Sequence, residues 1–151
     1  MCQRSRWVPT DAEWQYTCRA GTITKYSFGD EKQAADFAWF GLVTDKQGND
    51  HPHGIGLKRP NSWGLYDMHG NVAEWCYDYA ATREVSYISQ QPATNPVQLQ
   101  HSDSHQIRGG SWASDSRDIR SDQRIDTEES EGGYYDYTEL RVVRGAPIAA
   151  P

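Results

Sequence analysis

Residues 61–76 constrain the fold more than any other part of this chain. Their sequence, NSWGLYDMHGNVAEWC, places two carboxylates, two glycines and two tryptophans within sixteen positions. Such a mixture fits neither an uninterrupted helix nor an uninterrupted strand, because glycine weakens both. We therefore expect an irregular turn in this stretch that leads into a short strand.

Asp67 and Glu74 in this stretch have two interpretations. Gly70 lies between them and can adopt a positive φ, which would turn backbone carbonyls toward the carboxylates and form an oxygen cage suited to calcium. In the other interpretation, Asp67 fixes an Asx turn, Asn71 and Glu74 are solvated and both tryptophans lie in the core. The spacing differs from the twelve-residue loop of helix-loop-helix calcium proteins, so the residue types alone leave both open.

The length and the aromatic content indicate one folded domain. A chain of 151 residues suits a single domain with a sizeable core and is too short for two of ordinary size. Apolar residues make up only 36%, but six Trp and nine Tyr supply large surfaces for burial. We expect a single loop-rich domain over residues 1–151 with an aromatic core.

Charge and hydropathy argue against two classes of partner. The net charge of −6 disfavours binding to phosphate backbones, and Lys and Arg form no long run. No apolar stretch approaches the ~20 residues that span a bilayer, and the basic first residues lead into Trp7 and Pro9 rather than an apolar signal region. We expect no nucleic acid, no membrane and no signal peptide, and the compartment stays unknown.

The three cysteines do not form a recognisable motif. Cys2, Cys18 and Cys76 are an odd number without CxxC spacing, which argues against a zinc knuckle or a thioredoxin-type site. Cys18 and Cys76 either form one disulfide or remain buried free thiols, since reduced cysteine packs well in cores. Both alternatives stay open from the sequence.

One helix has clear boundary signals. Thr10 and Glu13 have the spacing of a capping box, and Pro9 and Trp14 are placed to form a hydrophobic staple. Gly21 suits the position after the C-terminal end. The helix is therefore predicted over residues 11–20, with Trp14 and Cys18 on its buried face.

Short extended segments and long loops are expected elsewhere. In residues 72–79, side chains alternate with a period of two, which predicts a strand with an aromatic face and a more polar face that carries Glu74. The other expected extended segments are residues 22–30, 106–112 and 140–144. Residues 31–40 suit a turn or short helix, and loops are expected over residues 44–60, 80–104 and 126–136. The fold class is therefore irregular α+β.

Four segments together resemble the formylglycine-generating enzyme, or sulfatase-modifying factor, family. They are WVPTDAEW at residues 7–14, NSWGLYDMHGNVAEW at 61–75, RGGSW at 108–112 and LRVVR at 140–144. The resemblance implies an irregular fold similar to C-type lectins, with structural calcium. By residue matching, the implied calcium ligands are the side chains of Asp67 and Glu74 and the backbone carbonyls of Gly70 and Val72. A second implied calcium site would include Asp36 and Phe37.

The same resemblance implies that the family's oxidation chemistry is missing. Catalytic members are copper oxidases that convert a cysteine of a sulfatase to formylglycine, and two cysteines beyond the Gly-Gly-Ser segment bind Cu(I). This chain has no cysteine after Cys76. We therefore expect no copper and no such oxidase activity.

The sequence departs from the family pattern at two residues and at its start. Ala73 stands where the family has a large aromatic, and Glu139 stands where a glycine precedes the closing segment. The sequence also starts at the family's central helix, so we expect the N-terminal part of the family domain to be absent. Either the chain is a truncated member of the family, or a partner chain, an oligomer or a rearranged sheet completes the fold.

Three functions compete on this basis. The first is a non-oxidising family member that binds a peptide or small molecule near Ser111, Trp112 and Arg120; alternatively, these residues form a core turn with a solvated arginine. The second is a lectin-like module that displays side chains of residues 111–137, such as the pair Tyr134 and Tyr135.

The third function is an enzyme with different chemistry, similar to the family's sulfoxide synthases, whose iron is held by histidines in a separate helical domain. His101 and His105 are four residues apart, but poor helix formers separate them. We expect these two and His51, His53 and His69 to be surface residues rather than iron ligands.

Overall fold

A single long helix follows the N-terminal strand. The computed structural model describes residues 5–41, 51–80, 96, 97, 99, 103–125 and 137–145. Helix α1 covers Asp11–Arg19 and begins with the predicted capping box, in which Thr10 Oγ1 accepts from the Glu13 N–H at 3.2 Å and Glu13 Oε2 accepts from the Thr10 N–H at 2.9 Å. The helix ends one residue earlier than expected, because Ala20 already adopts a left-handed conformation with φ 47°.

The inner face of α1 forms part of the core. Trp14 and Cys18 are completely buried and pack with Met68 and Cys76, which confirms the predicted helical face. Cys18 and Cys76 are both free thiols, so the disulfide alternative is excluded. The thiols act as small apolar groups in this cluster.

Two small sheets account for the strands of the described chain. Strand β2 (Ala73–Tyr79) lies between β3 (His105–Arg108), to which it is antiparallel, and β4 (Thr138–Glu139), to which it is parallel. Strand β1 (Ser5–Trp7) pairs antiparallel with β5 (Val143–Gly145). The strand expected over residues 72–79 is therefore confirmed.

The more polar face of β2 is the buried one. Glu74, Cys76 and Asp78 are buried, whereas Tyr77 is 54% exposed. Buried polar groups are tolerated when they are hydrogen-bonded. Asp78 accepts the first N–H of α1, from Asp11 at 2.7 Å, so this strand also fixes the start of the helix.

Two of the expected extended segments differ from the prediction. Residues 22–30 form turns with one isolated bridge, because the Gly29 N–H folds back to the Tyr26 carbonyl at 3.0 Å. Residues 140–144 do not form one strand: β4 precedes residues 140–142 and β5 follows them. The interruption directs the side chain of Arg141 inward to Glu74.

The remaining segments agree with an irregular α+β fold. A 3-10 helix at Glu31–Gln33 runs into the short helix α2 (Ala34–Phe37), in agreement with the turn or short helix expected there. Residues 51–60 have no helix or strand, whereas the expected loop over 126–136 lies outside the described residues. Within the described part of the chain, no helix is long and apolar enough to cross a bilayer.

Candidate functional site

The turn at residues 67–71 places its backbone in unusual conformations. Asp67, Gly70 and Asn71 have φ values of 56°, 80° and 67°. A Cβ atom on Gly70 would lie 2.0 Å from the carbonyl oxygen of Trp39, so only glycine fits where the two backbones meet. The positive φ expected for this glycine is confirmed.

The two carboxylates of the predicted calcium site have protein partners. Asp67 Oδ2 accepts the Gly56 N–H at 2.7 Å. Glu74 accepts the Trp14 indole N–H at 2.7 Å and is held by two nitrogens of Arg141, at 2.7 and 2.5 Å. Glu74 and Asn71 are buried rather than solvated, and Trp63 is 47% exposed rather than in the core, which corrects three parts of the turn interpretation.

These contacts bear directly on the calcium hypothesis. Both oxygens of Glu74 already face a guanidinium, and Asp67 also acts electrostatically on Arg141. A cation close to Glu74 would meet the positive charge of Arg141. Calcium therefore finds no complete set of free ligands at Asp67, Gly70, Val72 and Glu74 in this arrangement. The calcium hypothesis then rests on the Asp67 carboxylate and the backbone carbonyls of Gly70 and Val72.

The two residues of the second implied calcium site contact other groups of the protein. The Asp36 carboxylate is 65% exposed and lies 4.0 Å from the Arg59 guanidinium, and the Phe37 ring stacks on Phe28 at 4.9 Å. In the described residues, no group of three or more His, Cys, Asp and Glu side chains has an arrangement that could hold a metal ion. Calcium stays a prediction at both positions.

Asn71 joins three aromatic residues from separate parts of the chain. Its N–H donates to the Trp39 carbonyl and its carbonyl accepts from the Trp112 N–H, both at 2.8 Å. Its side-chain amide binds the His53 backbone twice, at 2.8 and 3.1 Å. Trp39, His53 and Trp112 are therefore all hydrogen-bonded to a single residue.

The aromatic side chains of the residues bonded to Asn71 form two ring pairs. The Trp39 and His53 rings lie 3.7 Å apart and 2° from parallel, and Lys58 Nζ lies 3.8 Å from the centroid of the Trp39 ring. Tyr137 packs edge-on against Trp112 at 5.0 Å. We call Trp39, His53, Trp112 and Tyr137 the Asn71 aromatic cluster.

Three ring nitrogens of this cluster have no hydrogen-bond partner. They are Trp39 Nε1, Trp112 Nε1 and His53 Nδ1, and all three atoms are buried. Buried polar atoms without partners are uncommon, and each one indicates a missing water, ion or ligand, or local strain. An indole nitrogen only donates, so two of the three atoms call for an acceptor.

The cluster also carries positive charge. Lys58 covers one face of the Trp39 ring and donates to the Ala35 carbonyl at 2.6 Å. Burial, together with the nearby His51 and Lys58, lowers the pKa of the His53 imidazole. Among the described residues, Lys58 is therefore a charged group in direct contact with the cluster, and His53 is neutral at pH 7.

The three predicted ligand-binding residues have different environments. Ser111 is 1% exposed and its N–H donates to Ser114 Oγ at 2.9 Å, so it belongs to a closed turn. Trp112 is half-buried and part of the aromatic cluster. Arg120 Nη2 donates to Gln123 at 3.0 Å, and its Nε lies 3.4 Å from Asp122 without hydrogen-bond geometry. Of the three, Trp112 is the residue suited to meet a ligand.

The expectation that His69 lies at the surface is wrong. His69 is 3% exposed; its Nδ1 donates to the Ile119 carbonyl at 2.7 Å, so Nε2 is the acceptor for the Ser27 hydroxyl at 2.9 Å. Burial lowers the pKa of His69 to about 4. A neutral imidazole thus connects three segments of the core, a role that the loop-like sequence around it did not indicate.

The two buried thiols are chemically inert in this environment. Burial raises the pKa of Cys18 to about 12 and raises that of Cys76 further. The thiolate is the form that acts as a nucleophile or metal ligand. Neither cysteine therefore resembles a reactive or metal-binding site.

The match to a family model decides the relationship of this chain to known proteins. Residues 2–146 match the model described as sulfatase-modifying factor enzyme 1-like domain. The chain belongs to this family. Family membership confirms the resemblance drawn from the four sequence segments.

Curated relatives support the same family. The formylglycine-generating enzyme of Streptomyces coelicolor is 31% identical over 72% of this chain and 38% of the relative. The serine/threonine-protein kinase pkn1 of Chlamydia pneumoniae is 32% identical over 75% of this chain and 17% of the relative. The chain thus spans well under half the length of either protein.

Solved structures of the family type share the fold. Treponema denticola variable protein 1 matches with a TM-score of 0.76 and 29% identity, over 94% of this chain and 48% of that structure. PvdO from Pseudomonas aeruginosa matches with a TM-score of 0.73 and 29% identity, over 92% of this chain and 52% of that structure. The chain spans about half of each structure.

Proposed function

We propose that this chain is a ligand-binding member of the sulfatase-modifying factor family that does not carry out copper-dependent oxidation. The observation that carries the proposal is the sequence after Ser111, which contains no cysteine up to residue 151. Cu(I) needs soft thiolate or thioether ligands. Hydroxyl and carboxylate groups take their place in this segment.

The turn that follows Ser111 supports this proposal. Ser111 Oγ and Ser114 Oγ lie 3.4 Å apart, and Ser114 N–H closes the turn on the Ser111 carbonyl at 3.0 Å. Such a turn is rigid and satisfied internally. Its function in this chain is to position Trp112 beside Asn71.

The Asn71 aromatic cluster is the proposed binding surface for a peptide or small molecule. Binding sites combine aromatic side chains with a few polar groups that fix orientation. Here the aromatic rings are half-buried, and two indole N–H groups lack acceptors. Trp39, Trp112 and Tyr137 would supply the apolar contact.

Structural calcium is a second part of the proposal, with a reduced ligand set. Asp67 supplies the anionic oxygen, and the carbonyls of Gly70 and Val72 are the other donors implied by the family. Since Arg141 holds Glu74, calcium adds less to stability than it would with four protein ligands.

Copper binding is the experiment that tests the first proposal. Purified protein is titrated with Cu(I) under reducing conditions against a chromophoric Cu(I) chelator. The Cys2→Ser variant is the control, because Cys2 lies outside the described residues and its thiol could bind Cu(I) by itself. We expect no tight stoichiometric binding in either form. Tight binding that survives in Cys2→Ser, or oxidation of a sulfatase cysteine peptide, would contradict the proposal.

The location of ligand binding is tested separately. Trp112→Leu should abolish binding of any peptide or small molecule recovered from a ligand array. Trp63→Leu is a matched control, since Trp63 is 47% exposed and packs on Tyr16 at 5.0 Å, away from Asn71. Equal loss in both variants would place the ligand elsewhere.

A further inference from the structure

The hydrogen bonds of the His69 ring determine which of its nitrogens carries the proton. The Ile119 carbonyl, which can only accept, lies 2.7 Å from Nδ1, and the backbone nitrogen of Ser27, which can only donate, lies 3.3 Å from Nε2. Nδ1 is therefore protonated and Nε2 is the acceptor. The Ser27 hydroxyl, 2.9 Å from Nε2, then donates its proton to the imidazole.

The Ser27 hydroxyl, the His69 imidazole and the Ile119 carbonyl follow one another as a nucleophile, a base and a group that orients the base. Activated serines in enzymes have this order of hydrogen bonds. The rings of Tyr26 and Phe28 pack edge-on against the imidazole, at 6.1 and 5.0 Å between centroids, and hold it in place. Ser27 and Ile119 lie 42 and 50 positions from His69, so tertiary structure rather than a local turn creates the arrangement.

A second nucleophile, the Cys18 thiol, approaches the same nitrogen. Its Sγ lies 3.6 Å from His69 Nε2. Cys18 is completely buried, and burial raises the pKa of its thiol to about 12, so the reactive thiolate does not form near pH 7. Ser27 is partly exposed. Of the two groups, Ser27 is the one that presents surface to a substrate in solution.

We propose that Ser27 is a nucleophile for acyl transfer from activated carboxylic esters, with His69 as its general base and the Ile119 carbonyl orienting His69. Ser27 Oγ attacks the ester carbonyl carbon, and its proton passes to His69 Nε2. The bond from this carbon to the leaving oxygen breaks, and the leaving oxygen takes the proton from Nε2. Water, deprotonated by the same nitrogen, then attacks the acyl group, releases the carboxylic acid and restores the Ser27 hydroxyl. This activity does not depend on ligand binding at the Asn71 aromatic cluster.

The neutral partner of His69 limits the substrates to esters with acidic leaving groups. The Ile119 carbonyl carries no full charge, so the imidazolium formed in the first step is stabilised less than one that faces a carboxylate. The resulting weak base suits a leaving group that needs little protonation. Phenyl and nitrophenyl esters meet this condition, whereas amides and simple alkyl esters do not.

The test identifies the residue that reacts. Purified protein is incubated with a fluorophosphonate, which loses fluoride when an activated serine attacks phosphorus, and the modified residue is located by peptide mass spectrometry. We expect the label on Ser27. Release of nitrophenol from para-nitrophenyl acetate should fall at least about tenfold in Ser27→Ala and in His69→Gln. Ser62→Ala is the matched control and should leave the rate unchanged, because Ser62 is exposed and its hydroxyl donates to the Ala20 carbonyl at 2.8 Å rather than to a base.

The labelling of the unmodified protein decides the proposal even where His69→Gln does not fold, and near-ultraviolet circular dichroism checks the fold of each variant. A label on Cys18 or on any residue other than Ser27 would overturn the proposal. So would no label at all, or hydrolysis of the ester at an unchanged rate in Ser27→Ala.

Discussion

The side-chain amide of Asn71 pairs with both backbone polar groups of His53. The amide oxygen accepts the His53 N–H at 2.8 Å, and the amide nitrogen donates to the His53 carbonyl at 3.1 Å. The Asn71 side chain thus satisfies both backbone polar groups of His53, as a neighbouring strand would. The loop that contains His53 and Lys58 is anchored to the turn by these two bonds.

Replacing Asn71 with Asp should loosen this anchor. The carboxylate keeps the acceptor and loses the donor, and its second oxygen then faces the His53 carbonyl. We expect a loss of about 1–3 kcal/mol in the free energy of unfolding, measured by urea denaturation. Glu31→Gln, on the exposed 3-10 helix, is the control and should change stability by less than about 0.5 kcal/mol.

Gly70→Ala should be strongly destabilising because the added methyl meets a backbone atom. Its Cβ would lie 2.0 Å from the Trp39 carbonyl oxygen. Gly64→Ala is a matched control, since Gly64 has the same φ of 80° and a Cβ added there would meet nothing within 4 Å. We expect about 1 kcal/mol for Gly64 from backbone strain alone and at least about 3 kcal/mol for Gly70. Similar losses would mean that the close approach to Trp39 is wrong.

Removing Arg141 should leave a buried charge without its partner. Glu74 would keep only the Trp14 N–H, so Arg141→Met is expected to cost about 2–4 kcal/mol, a range reduced for the partial exposure of Arg141. Arg117→Met removes an exposed pair with Asp115 and should have little effect on stability. Thermal unfolding of both variants checks the difference. A small effect at Arg141 would show that the guanidinium does not neutralise Glu74.

Acid should destabilise the fold through His69. The pKa of this imidazole is about 4 in the folded protein and near 6.5 in an unfolded chain, so the unfolded state takes up the proton first. The stabilisation is complete above pH 6.5 and is lost as the pH falls toward 4, by about 3 kcal/mol. His69→Gln should flatten the pH dependence of urea unfolding between pH 6.5 and 4. An unchanged slope would mean that other groups cause the acid sensitivity.

Metal content gives a prediction independent of stability. Elemental analysis of purified protein, combined with its oligomeric mass, should show calcium at up to one ion per chain and no copper. Arg141→Met should increase calcium retention, because it frees the Glu74 carboxylate. Copper at one equivalent would contradict the proposed function, and calcium loss in this variant would contradict the role given to Arg141.

Short sequence patterns are sufficient to predict α1 and β2, because neighbouring residues determine where these two elements form. Thr10 and Glu13 specify the start of α1 within four residues, and the alternation after Val72 specifies β2. The role of Arg141 depends on Glu74, 67 positions away in sequence, so the pattern LRVVR by itself predicts a plain strand. Only the tertiary contact shows why that strand is interrupted.

The candidate site is less predictable than the fold. Trp112 is recognisable because it follows a glycine pair, whereas Trp39, His53 and Lys58 lie in segments without periodicity. The sequence signal that could have found them is Asn71, since an asparagine directly after Gly70 suits a left-handed residue with a side chain available for backbone bonding. The backbone segment that the Asn71 side chain binds is set by tertiary contacts and cannot be predicted from neighbouring residues.

The pairing of β1 with β5 has a consequence for protein architecture. Ser5 lies opposite Gly145, so the chain enters and leaves this unit at neighbouring points. A unit of this kind can be spliced into a surface loop of a host protein with little disturbance of the host. Joining the two positions by a short linker and opening the chain elsewhere should likewise give a circular permutant that still folds.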